Sequence, residues 1–91
     1  MVAPVGKYAL TPHASFEMAR RGISASIVEQ VLKAPEQRYA IRPGRDILQS
    51  RIVFADKTYL VRVVVEVESV PAEVVTVYRT SKIEKYWRNK L

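Results

Sequence analysis

The sequence contains no cysteine and only one histidine, and these two scarcities limit its chemistry. Without cysteine there are no disulfides, thiolate metal sites or cysteine nucleophiles, a composition typical of proteins in reducing compartments. No apolar run approaches the length of a signal peptide or a membrane span, so we expect a cytoplasmic protein without membrane association. The sequence also lacks a P-loop, a dinucleotide fingerprint and a G-x-S-x-G turn, the sequence marks of several large enzyme classes.

Acidic residues are also scarce, with nine Asp and Glu against fifteen Lys and Arg. Glu66, Glu68 and Glu73 are close in the sequence, but no histidine or second aspartate accompanies them. Metal sites in proteins are built from clusters of such ligands. The sequence therefore predicts no metal site and no cofactor.

The net charge of +6 is unevenly distributed along the chain. Residues 79–91 carry five basic side chains and one acidic side chain, while residues 52–78 are net acidic. A basic patch of this kind favours a polyanionic partner, with nucleic acid first and an anionic membrane surface second. The alternative is a solvated basic helix without a partner.

The first third of the sequence predicts two helices. Thr11 and Pro12 form a typical helix start, and Gly22 is suited to end that helix after Arg21. Ser24 can cap a second helix, which Pro35 ends. The short connection predicts a helical hairpin.

The remaining residues predict strands, because apolar residues recur at every second position. We expect four strands joined by short turns, at 37–42, 47–54, 58–68 and 74–80, and a short edge strand near residues 7–10. Ninety-one residues allow one domain, covering 1–91. The predicted fold is α+β, with the helical hairpin packed on a four-stranded antiparallel meander and followed by a C-terminal helix.

The end of the last strand predicts a change to helix at Ser81. Ser81 and Glu84 have the spacing of a capping box, in which the serine oxygen accepts from the Glu84 N–H. The strand and helix together would deliver several polar side chains to one edge of the molecule: Tyr78, Arg79, Lys82, Tyr86 and Arg88.

Two stretches resemble a known bacterial domain family of unknown function. Residues 13–24 have the pattern H-A-x-x-x-M-x-x-R-G-I-S, and residues 74–87 read VVTVYRTSKIEKYW, similar to the family's opening and closing motifs. The central turn at residues 43–45 is also similar. Glu17 stands where the family commonly has arginine, which removes one phosphate-binding candidate and leaves open whether activity is retained.

The family looks related to the BrnT and RelE/ParE-like toxins of toxin–antitoxin pairs. This resemblance implies a RelE/BrnT-like fold and a metal-independent endoribonuclease that attacks through the ribose 2′-hydroxyl. It also implies two partners, RNA (free or on the ribosome) and a small antitoxin protein.

Candidate site residues follow from position and residue type. A histidine in the first turn of a helix can act as a general base or acid, and arginine and lysine suit phosphate oxygens. The candidate catalytic residues are His13, Arg79, Lys82 and Tyr86, and the candidate phosphate-binding residues are Arg21, Arg51, Lys85 and Arg88. We leave Arg62 out, because an ion pair with Glu66 or Glu73 explains it. The alternative function is a non-catalytic module that binds nucleic acid or protein through the same basic patch.

Overall fold

The computed structural model describes residues 2–90, which form five strands and three helices. In chain order the elements are β1 (Tyr8–Leu10), α1 (Pro12–Arg21), α2 (Ala25–Lys33), β2 (Gln37–Arg42), β3 (Arg45–Phe54), β4 (Lys57–Glu66), β5 (Ala72–Thr80) and α3 (Ile83–Tyr86). The α+β class predicted from the sequence is confirmed.

The strands form one mixed sheet with the order β1-β5-β4-β3-β2. Strands β2 to β5 pair antiparallel in chain order, and β1 adds a fifth strand parallel to β5, from Tyr8 opposite Ala72 to Leu10 opposite Val74. The four predicted strands pair antiparallel, and the edge strand predicted near residues 7–10 forms as β1. Because β1 makes the sheet five-stranded and mixed, a sheet of four antiparallel strands is not confirmed. A three-residue strand carries too little periodicity to reveal its direction, which here is fixed by the distant β5.

The helical hairpin forms as predicted because its caps are satisfied. The Thr11 side chain accepts from the Ala14 N–H at 3.1 Å, and the Ser24 side chain accepts from the Ile27 N–H at 3.2 Å. Between the helices Gly22 has φ 65°, a left-handed conformation that costs a glycine little.

The hydrophobic core lies between the helical hairpin and one face of the sheet, which we call the helical face. On β4, residues 61, 63 and 65 are valines that point into this core and are fully buried. They pack with apolar residues of both helices and of β3 and β5, including Ala14, Met18, Val31, Leu48 and Val77. The opposite side of the sheet, the outer face, receives the alternating residues of β4.

The end of the chain departs from its prediction. Ser81 does not cap a helix: Lys82 occupies the N-cap position without a side-chain hydrogen bond, and α3 is a single turn. The Thr80 hydroxyl accepts from the Lys82 N–H at 3.1 Å, and Lys82 has non-helical angles (φ −87°, ψ 64°). The helix therefore begins at Ile83, one residue later than the capping box requires.

Candidate nucleic-acid interface

Arg62 lies at the centre of the outer face. In the antiparallel register it is opposite Gln49 on β3 and Tyr78 on β5. Its neighbours on the outer face of β4 are Leu60 and Val64. Only 5% of its surface is exposed. A buried guanidinium is unusual, because removing an ion from water costs on the order of several kcal/mol unless a counter-charge offsets that cost.

The partners of Arg62 are neutral. Its Nε donates to the Gln49 side-chain oxygen at 2.9 Å, and its terminal nitrogens donate to the hydroxyls of Tyr78 and Tyr39. The Tyr86 ring lies over the guanidinium, with 4.4 Å from Cζ to the ring centroid. No ion pair formed within residues 2–90 involves Arg62. Hydrogen bonds and an aromatic ring thus replace the expected carboxylate.

The ion pair that we predicted for Arg62 is wrong. Glu66 accepts instead from Arg45, at 2.9 Å, because the two residues are opposite each other in the β3–β4 register. Glu73 is exposed, at 3.5 Å from the Ser69 hydroxyl. The missed signal is a single basic residue within the apolar run 60–65, where a solvated ion pair has little room.

Residues 83–88, the C-terminal segment, lie over Arg62. The Gln49 amide donates to the Tyr86 carbonyl at 3.2 Å, and the Arg88 N–H donates to the Gln37 side-chain oxygen at 3.0 Å. The Arg88 guanidinium stacks on the Tyr39 ring at 4.2 Å. Two buried glutamines therefore hold the chain end where Tyr86 contacts Arg62 and Arg88 contacts Tyr39. We call this cluster the outer-face site: Arg62, Gln49, Tyr39, Tyr78, Tyr86 and Arg88.

Two of the three phenols of the outer-face site, those of Tyr39 and Tyr78, are available as proton donors. Tyr39 and Tyr78 accept hydrogen bonds from Arg62, so each phenolic proton is left to donate to some other group. Among residues 2–90 neither proton has an acceptor, and both side chains are partly exposed. A ligand with oxygen acceptors, such as a phosphate, would match these donors and the cations beside them.

A second arginine cluster lies on the helical face, at the far end of β5. Arg79 follows Val77 on that face, and its Cζ is 4.2 Å from the Phe54 ring centroid and 4.7 Å from that of Tyr59. An open cleft of about 740 Å³ adjoins it. We call it the arginine cleft, and its lining includes Arg20, Arg21, Gly22, Tyr59, Arg79 and Ser81.

Glu17 is the carboxylate that balances part of this charge. It accepts from Arg20 and from the Arg21 Nε, both at 2.9 Å, and is 8% exposed. These hydrogen bonds, with Arg20 first, lower the pKa of Glu17 to about 2. Glu17 therefore forms ion pairs with both arginines and is ionised at neutral pH.

The predicted catalytic residues do not share one centre. His13 is exposed at the start of α1, on the helical face, whereas Tyr86 belongs to the outer-face site. Arg79 is on the helical face at the other end of α1, whose ten residues span about 15 Å. Lys82 is exposed at the start of α3, next to Ser81 of the cleft.

The predicted phosphate-binding residues also divide between the two sides. Arg21 joins Arg79 in the arginine cleft, and Arg88 joins the outer-face site, while Lys85 is exposed on α3. Arg51 is instead bound to Glu36 at 2.7 Å and stacks on Trp87 at 4.4 Å. The hydrogen bonds from Arg51 lower the pKa of Glu36.

Tyr78 connects the two clusters. Arg62 donates to its hydroxyl, and Arg21 approaches the same ring from the cleft, with 5.8 Å between Cζ and the ring centroid. Side chains of both faces therefore meet at this residue of β5.

In the part of the chain that the structure describes, no group of three or more His, Cys, Asp or Glu side chains could hold a metal ion. Within residues 2–90, no helix has both the length and the apolar character needed to span a bilayer.

The fold and its two arginine clusters define a small, basic α+β protein with polar sites on both faces of one sheet. Residues 10–79 match the model of a family described as a domain of unknown function, DUF4258, and the chain belongs to that family. The match ends at Arg79, so the C-terminal segment, which includes α3, lies outside the matched residues. No curated protein and no solved structure matches the chain.

Proposed function

We propose that the protein binds RNA at the outer-face site and cleaves it without a metal, by attack of a ribose 2′-hydroxyl on the adjacent phosphate. The observation that carries this proposal is the buried guanidinium of Arg62, whose partners are a glutamine and three tyrosines rather than a carboxylate. Such a charge is costly to keep for packing alone, and an anionic substrate explains why it is kept.

In the proposed reaction each group has a role. Arg88 and Arg62 supply positive charge where the phosphate gains negative charge in the transition state. Tyr39 or Tyr78 donates its proton to the departing 5′-oxygen as the bond between phosphorus and that oxygen breaks. The 2′-oxygen gives its proton to a solvent water and bonds to phosphorus as the bond to the 5′-oxygen breaks, which leaves a 2′,3′-cyclic phosphate and a 5′-hydroxyl end.

The wider proposal is a cytoplasmic toxin of a toxin–antitoxin pair, with a RelE/BrnT-like fold and a small antitoxin as partner. It is supported by the resemblance of residues 13–24 and 74–87 to the family motifs, and by the net charge of +6. A small acidic protein encoded beside this chain would support it further.

One observation favours the second candidate function, a non-catalytic RNA-binding module. The side chains around Arg62 are phenols and amides, and His13, the predicted base, lies on the other side of the sheet. A surface that binds RNA without cleaving it needs no general base. The two functions therefore differ in whether the bound strand is cut.

The test is cleavage of end-labelled single-stranded RNA by purified protein, with and without ribosomes and with a chelator present. We expect 2′,3′-cyclic phosphate ends, and a rate reduced about 10²- to 10⁴-fold when Tyr39→Phe and Tyr78→Phe are combined, the range for loss of a general acid. Tyr8→Phe is the matched control, since Tyr8 is a partly buried tyrosine on β1, packed against the helical core. His13→Ala, tested in parallel, shows whether that residue takes part.

Cleavage by the double variant at the rate of the Tyr8→Phe control would remove the tyrosines from the mechanism. Binding without cleavage by the unaltered protein, under either ribosome condition, would establish the module in place of the ribonuclease.

A further inference from the structure

The arginine cleft has more positive charge than its one carboxylate can balance. Glu17 engages Nε and Nη2 of Arg20 and Nε of Arg21. In the described part of the chain, Nη1 of Arg20 and both Nη atoms of Arg21 make no hydrogen bond within the protein. The side chains of Arg20 and Arg21 are 53% and 34% exposed, so these donors face the cleft or solvent.

Arg79 adds a third cation that is held in place by aromatic rings. Its guanidinium contacts the Phe54 and Tyr59 rings, which are themselves packed edge to face at 5.6 Å. None of the ion pairs within residues 2–90 includes Arg79. Rings against a guanidinium fix its plane and leave its N–H groups at the edge, the geometry that recognises phosphate oxygens.

The cleft is also positioned next to the outer-face site. Strand β1 pairs with β5 only from Ala72 to Val74, so the outer edge of β5 from Thr76 to Thr80 has no strand beside it among residues 2–90. Arg21, at the end of α1, which packs against β5, approaches Tyr78, to which Arg62 donates from the other face. A path therefore leads around the edge of β5 from one site to the other.

We propose that the arginine cleft is a second phosphate-binding site, which takes a backbone phosphate of the RNA strand held at the outer-face site. The strand passes the edge of β5 at Tyr78, and the phosphate beyond that edge binds Arg21 and Arg79. This inference rests on the proposed function for the identity of the strand, whereas anion binding in the cleft stands on the geometry of the cleft alone.

The first experiment measures anion binding at the cleft without RNA. Inorganic pyrophosphate is titrated into the labelled protein, and the amide signals of Gly22 and Ser81, which line the cleft, are followed by NMR. We expect saturable shifts that Arg79→Ala weakens roughly tenfold or more, as for loss of a charge-assisted hydrogen bond. Glu17→Gln should strengthen binding, because it removes the competing carboxylate.

Matched controls separate the cleft from net charge. Arg42→Ala removes one exposed charge at the opposite end of the sheet, and Glu29→Gln removes one exposed carboxylate on α2. Equal effects of Arg79→Ala and Arg42→Ala on pyrophosphate binding would overturn the proposal. Circular dichroism establishes that each variant is folded.

The second experiment tests whether the cleft and the outer-face site share one strand. The ligands are a 2′-O-methyl dinucleotide and a 2′-O-methyl oligonucleotide of about ten nucleotides, a length within the range of single-strand binding sites. Arg79→Ala should weaken the longer ligand and lower its salt dependence by about 0.7 in slope, while the dinucleotide is unaffected. Pyrophosphate binding combined with unchanged affinity for the longer ligand would overturn the shared strand.

The two proposals fail separately. If the Tyr39 and Tyr78 changes leave RNA cleavage intact, the proposed catalytic site is wrong. Loss of pyrophosphate binding in Arg79→Ala would still support the phosphate site in the arginine cleft.

Discussion

On the helical face, β4 contributes three valines to the core, whereas on the outer face the same strand places Arg62 between Leu60 and Val64. Both sets of side chains are buried. The helical face is covered by two capped helices, and the outer face by a one-turn helix and a chain end held by glutamine side chains.

This difference shows that the two faces are stabilised by different interactions. Apolar burial is nondirectional, so the helical face tolerates changes of shape better than changes of volume. The outer face depends on hydrogen bonds whose partners must all be present, since an unsatisfied buried polar group costs about 1–3 kcal/mol. Changes on the two faces should therefore differ in their effects on stability and on RNA binding.

The largest expected difference in the free energy of unfolding is between a truncation on the helical face and the loss of a charge on the outer face. Leu48 is fully buried in the helical core, and Leu48→Ala should lower the free energy of unfolding by about 2–5 kcal/mol. Arg62→Met leaves the Gln49 oxygen without its donor, a cost of at most about 1–3 kcal/mol, offset by release of the desolvation penalty.

Denaturant melts of both variants, with RNA binding measured beside them, test the comparison. We expect Arg62→Met to be the more stable variant and the one that loses RNA binding. A loss of stability in Arg62→Met as large as that in Leu48→Ala would mean that Arg62 is a structural element of the outer face.

Local chemistry made most of the helical side predictable. Thr11, Pro12, Gly22 and Ser24 act within a few residues of their own positions, so their effects can be read from the sequence. The recurrence of apolar residues at every second position predicted the strand at 58–68, and its valines share one side because a strand alternates its faces.

The outer face was less predictable because its contacts join residues far apart in the sequence. Arg62 contacts Tyr39, Gln49 and Tyr86, which lie on three other elements. The spacing of these residues in the sequence does not predict the contacts. Tyr86 and Arg88 are among the site candidates predicted from residue type and position, and their side chains stack on Arg62 and Tyr39. Arg62 itself was left out of the predicted site, because an ion pair was expected for it.

A smaller effect separates two serines that the sequence presents as equivalent helix caps. Ser24 accepts from the Ile27 N–H, whereas Ser81 makes no cap for α3. Ser24→Ala should therefore cost about 0.5–2 kcal/mol of stability, and Ser81→Ala should leave the denaturation midpoint unchanged. Both serines are exposed, so neither change opens a cavity and each serves as the control for the other. Equal losses in the two variants would restore the capping box at Ser81.

The smallest effect concerns Glu17, because ion pairs with partly exposed arginines contribute little to stability. Hydrogen bonds from Arg20 and Arg21 lower its pKa from 4.5 to about 2 in the folded protein. A lowered pKa means that the unfolded chain binds the proton more tightly. The contribution of Glu17 is therefore fully present above about pH 4.5 and is lost as the pH falls toward about 2.

Urea midpoints of the unaltered protein and Glu17→Gln, measured from neutral pH down to about pH 2, test this sign. We expect the unaltered protein to be more stable at neutral pH, and the difference to shrink through that acid range, because protonated glutamic acid and glutamine both lack the charge that Arg20 and Arg21 bind. Glu29→Gln, on the exposed side of α2, should show no such convergence. A difference that stays constant with pH would mean that Glu17 stabilises α1 by packing, and that the charge of the arginine cleft is not governed by its ionisation.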